Sequence, residues 1–96
     1  MEIEHEEGKK RREMQQKVGE LGIAEGDKII GKNGVAYRIL DFKLGLEYPG
    51  GGYFQVLVQR PGIPSEKGRL TFQELLEAQE AGVIERIEHI EQEKNE

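Results

Sequence analysis

The chain has 96 residues, 35% of them apolar, enough for one domain with one modest core. It has no cysteine, which excludes a disulfide framework and thiolate metal sites and fits a cytoplasmic setting; no apolar run is long enough to span a bilayer. The net charge of -5 divides as -1 over residues 1–21, +2 over 22–71 and -6 over 72–96, far from the footprint of a basic domain.

Residues 1–21 read as a charged N-terminal helix, regular from about 9 to 20. Met14, Val18 and Leu21 recur at i, i+4 and i+7 and form one narrow apolar stripe. A stripe on so polar a helix is a candidate self-association surface, which makes a homodimer an expected possibility. Gly22 is placed to end the helix in a left-handed conformation. The Lys9–Arg12 cluster lies among Glu6, Glu7 and Glu13, so pairing along the helix is preferred to a nucleic-acid patch.

Residues 22–90 read as a compact β-rich domain. Asn33-Gly34 between runs rich in Ile, Val, Tyr and Phe predicts a hairpin with strands at 27–32 and 35–44. Val35, Tyr37 and Ile39 share one parity, whereas Leu40, Phe42 and Leu44 share the other. A slip by one residue within a strand predicts a bulge or bend near Ile39 and Leu40. The stretch "EYPGGGYF" leads from this strand into another at 53–60 and not into a helix N-terminus, so its glycines are expected to form a flexible hairpin tip and no phosphate cradle. Pro61-Gly62 suits a type II turn, and with Pro64 it predicts a long loop over 60–68.

Thr71 with Glu74 forms a capping box, Leu70 and Leu75 stand at staple positions, and Gly82 closes the pattern. A helix is expected at 72–81 with Phe72, Leu75, Leu76 and Gln79 inward. Val83 to Glu88 then reads as a closing strand, and 91–96 as an acidic tail. The fold class is α+β: a small, strongly bent antiparallel sheet or SH3-like half-open barrel, with an N-terminal helix and a capped helix before the last strand. An open sheet backed by two helices is the alternative.

Catalytic groups are sparse. His5 and His89 read as solvated, Ser65 has no evident activating base, Thr71 is used as a cap, and Asp27 and Asp41 read as turn and bend residues. The chain is expected to be non-enzymatic, with no cofactor and no metal. Residues suited to binding are better represented: Tyr37, Tyr48 and Tyr53 with Arg38, Lys43, Arg60, Lys67 and Arg69. The favoured function is a protein-binding adaptor or regulator acting through loops 45–52 and 60–68, which would order on contact. The alternative is nucleic-acid binding by the mildly basic segment 28–69, opposed by the Glu-rich C-terminal region. A third reading is an acidic decoy built on helix 72–81 and the tail.

Overall fold

A computed structural model describes residues 6–90 of the chain. The elements run α1 (Glu6–Glu20), β1 (Lys28–Gly31), β2 (Ala36–Leu44), a 3-10 turn (Pro49–Gly51), β3 (Gly52–Arg60), β4 (Ile63–Thr71), α2 (Phe72–Glu80) and β5 (Ile84–Glu88). His5 and the acidic segment 91–96 lie outside the described residues.

Turn chemistry builds a meander from β1 to β4. Asn33 accepts from the Val35 amide at 3.0 Å and Gly34 takes φ +88°, closing the first hairpin. Pro61-Gly62, with Gly62 at φ +74°, closes the last one in two residues. β5 then returns antiparallel to β1, giving an open five-stranded sheet of order β4-β3-β2-β1-β5. The expected α+β class holds, with an open sheet and two helices on one of its faces.

The parity slip in β2 is resolved as a bulge. Ile39 pairs with Val56 and Asp41 with Gln55, leaving Leu40 as the extra residue. Tyr37 and Ile39 before the bulge, and Phe42 and Leu44 after it, therefore share one face. That face is the core side: Ile29, Ile39, Phe54 and Val56 are buried there, beneath Val18 of α1 and Phe72 and Leu75 of α2.

The helix caps match the sequence pattern. Thr71 Oγ1 accepts from the Glu74 amide, and the Glu74 carboxylate accepts from the Thr71 amide, both at 3.0 Å. At the other end the Gly82 amide donates to Gln79 and the Val83 amide to Ala78, with Gly82 at φ +74°. Phe72 and Leu75 are buried and Leu76 half-buried, whereas Gln79 is exposed.

Three expectations need correction. Residues 60–68 are no loop: beyond the tight turn they belong to β4. Two residues, Pro64 and Ser65, stand opposite Gln59 between the pairs Arg60–Ile63 and Val58–Glu66, so the proline occupies a bulge on an edge strand, where its missing N–H costs nothing.

The glycine run is no slack tip. Gly50, Gly51 and Gly52 are all buried. A Cβ on Gly51 would stand 2.5 Å from Gln15 Cγ and 2.7 Å from the Arg11 carbonyl, and one on Gly52 would stand 2.6 Å from the Phe72 ring. Only glycine lets the turn wedge between α1 and α2. Gln15 Nε2 donates to the Gly51 carbonyl at 2.5 Å and Arg11 to the Leu46 carbonyl at 3.1 Å, tying α1 to the 45–52 segment.

The stripe on α1 faces inward. Val18 is buried, Leu21 packs on the core, and Met14 lies in a groove shared with Leu76 of α2. Much of its apolar area is thus spent on the chain's own core, with Met14 and Leu21 only part-buried.

Candidate functional site

Directly opposed residues on neighbouring strands share a face, so the register alone writes out the sheet side that carries no helix. One row across it reads Lys67, Leu57, Arg38, Lys28 and Glu88. The next reads Arg69, Gln55 and Asp41, and the one beyond reads Thr71, Tyr53 and Lys43. On the other side of the first row stand Gln59, Ala36, Ile30 and Arg86.

This outer face therefore gathers Lys28, Arg38, Lys43, Lys67, Arg69 and Arg86 against two carboxylates. Glu88 is bound to Arg86 at 2.9 Å, Arg86 also pairs with the neighbouring Glu85 at 3.2 Å, and Asp41 accepts from the Phe42 amide at 2.7 Å. Among the described residues, Lys28, Arg38, Lys43 and Lys67 make no ion pair. Arg69 lies 4.3 Å above the Tyr53 ring as a cation-π partner, and Tyr48 meets the same ring edge-on at 4.9 Å. Tyr53 is consequently buried under its neighbours.

The acidic groups of α2 lie elsewhere. Glu74, Glu77 and Glu80 project from α2, which packs on the opposite side of the sheet through Phe72, 5.0 Å from Phe54. A helix is about 10 Å across, and the Debye length at physiological salt is about 8 Å. The carboxylates of α2 are thus largely screened from the basic face.

The structure divides the binding residues expected from the sequence. Arg38, Lys43, Tyr53, Lys67 and Arg69 share the outer face, and Tyr48 abuts them. Tyr37 lies on the core side, opposite Ile29 and Val58, and lines an apolar groove of about 480 Å³ between α2, β1 and β5. Arg60 stands at the hairpin end, paired with Glu66 at 3.3 Å. Lys28 and Gln55 were not singled out by composition, although the strand parity opposite Ile29 and Phe54 marks both as outward.

A second cluster surrounds Asp27, which is 3% exposed. Its Oδ2 accepts from the Ala24 amide at 2.9 Å and meets His89 Nδ1 at 2.8 Å; its Oδ1 accepts from the Ile90 amide at 2.9 Å. Burial pushes the carboxyl up, but the two amides, and then the His89 hydrogen bond and charge, outweigh it and hold Asp27 below its ordinary value. The aspartate–histidine pair has the form of a general-base dyad. Ser65, however, is on β4 at the far edge of the sheet from β5; His89 and Ile90 clip the residues after β5 onto the start of β1, and the Ala24 amide closes the turn that leads into it. Asp27 is a structural clasp, and His89 is half-exposed as expected yet partnered. Among the described residues no three His, Asp or Glu side chains converge as a metal site requires, and no helix is long and apolar enough to cross a membrane.

No protein family, curated protein or solved structure matches this chain.

Proposed function

We propose that the protein is a non-enzymatic cytoplasmic binding module whose helix-free sheet face engages an anionic macromolecule. The observation that carries this is the convergence of Lys28, Arg38, Lys43, Lys67 and Arg69 on one face of a chain whose net charge is -5. Unpaired cations gathered on one side, with the carboxylates of α2 on the other, raise the local concentration of an anionic partner and orient its approach. The interface thereby shifts from two loops to the sheet face, because segment 45–52 is wedged against the helices and 60–68 belongs to the hairpin of β3 and β4, whose Lys67 is on that face.

Retention on immobilised heparin tests this. Changing Arg38, Lys67 and Arg69 to Gln should abolish retention, whereas the same loss of charge at Lys9, Lys10 and Lys17 on α1 should leave most of it. Equal losses in the two variants would refute a role for the sheet face.

One observation favours a second reading, an apolar protein partner. Phe42 and Leu44 are 45% and 58% exposed beside a groove of about 410 Å³ between α1 and β2, lined also by Val18, Ile23, Phe54 and Phe72. A partner held there would bind independently of salt and would be lost on Phe42→Ser.

A further inference from the structure

The β2 bulge leaves a notch in the basic face. Leu40, the extra residue, lines it together with Gln55, Lys67 and Arg69, above Val56 and Gly68, in a groove of about 360 Å³. Its walls differ in chemistry. Lys67 and Arg69 supply two cations from β4, Gln55 supplies a carboxamide with both donors and an acceptor, and Leu40 supplies an apolar surface. Arg69 is held in place by its contact with Tyr53.

An acidic protein surface would use the two cations and leave the amide and the leucine without a specific role. A nucleotide uses all four: phosphate oxygens on Lys67 and Arg69, a base edge on Gln55, and a base face on Leu40. A duplex keeps its bases stacked inside, out of reach of a shallow notch on a sheet, whereas a single strand presents them splayed. Beyond the notch the first row continues the track, with Arg38 two strands from Lys67 and Lys28 three, about 14 Å in all at the usual strand spacing.

We infer that the notch is a nucleotide subsite and that the partner of the basic face is single-stranded nucleic acid, running from the notch across Arg38 and Lys28. This rests on the anionic-partner reading above and adds the class of partner and the residue that touches a base.

Fluorescence anisotropy with labelled short dT, dC and dA strands, the dA·dT duplex and a polyglutamate peptide tests it. Four cations, each neutralising one phosphate with a slope of about -0.7 for single strands, predict about fiftyfold weaker binding at 200 mM salt than at 50 mM. Lys67→Gln should flatten the slope by about 0.7. Gln55→Ala should leave the slope unchanged and alter the ranking of dT, dC and dA, with circular dichroism confirming that both variants stay folded. Duplex or polyglutamate binding as tight as the single strands, or an unchanged ranking in Gln55→Ala, overturns the subsite. If heparin and polyglutamate bind but single strands are not preferred, the subsite alone falls. If no polyanion binds, the anionic-partner reading falls with it.

Discussion

Replacing Asp27 with Asn removes a charge and little volume at a site where two loop ends meet. The carboxylate accepts from the Ala24 and Ile90 amides and from His89 with nearly all of its surface buried, and no buried side-chain polar atom among the described residues lacks a partner. In the asparagine variant one side-chain oxygen becomes a donor facing a donor. One backbone amide is then unsatisfied, at about 1–3 kcal/mol, and the other hydrogen bond loses its charge assistance, at about 1 kcal/mol more. The sum of about 2–4 kcal/mol corresponds to a fall in Tm of roughly 10–20 °C for a domain of this size. A carboxyl whose folded pKa lies below its unfolded value binds fewer protons when folded. Its contribution is therefore complete above the unfolded value of 3.8 and drains away as pH falls through the lower folded value. Urea melts of both proteins, followed by circular dichroism at about pH 7 and in acid, should show a large offset in midpoint that narrows in acid. An offset equally large at both pH values would show that Asp27 acts through shape and not through its charge.

Other substitutions probe the packing. Gly51→Ala should cost more than about 2 kcal/mol, because a Cβ meets Gln15 and the Arg11 carbonyl at φ +93°; Gly62→Ala, at φ +74° with nothing within 4 Å, should cost only about 1 kcal/mol. Urea midpoints decide between this ordering and its reverse. Thr71→Ala should lose about 1 kcal/mol by opening the capping box, measured as an earlier thermal transition. Val18→Ala should cost about 1.5 kcal/mol for two buried methyl groups, with no change in sedimentation coefficient; a shift in sedimentation would mean that the α1 stripe joins copies after all.

What could be read early was whatever depends on neighbours in the chain. The Thr71–Glu74 box, the left-handed Gly82 and the Asn33-Gly34 turn are all set within six residues, and each stands where the sequence placed it. The β2 bulge also showed, because a change in parity is visible without a partner strand. β4 did not show, since an edge strand has one neighbour and little apolar content. Pro64 counted against it until its place in a bulge was known.

The candidate site was only half legible for the same reason. Composition picked out Arg38, Lys43, Lys67 and Arg69, but their sharing one face depends on register across three strands, and Tyr37 and Arg60 parted from them on that basis. Asp27 and His89 are 62 residues apart, and nothing local links them.

The amino-acid sequence settled both helices, every strand but β4, the caps of α2, the tight turns and the point where β2 slips, because torsional preference and side-chain period act over a few residues. The folded chain alone decided that the glycines are a wedge, that Val18 of the α1 stripe is core, and that Lys28, Arg38, Lys43, Lys67 and Arg69 gather on one side of the sheet with the carboxylates of α2 on the other. Those outcomes arise from close approach between distant segments, and steric fit and Coulomb energy at such contacts are not written in any one stretch of residues.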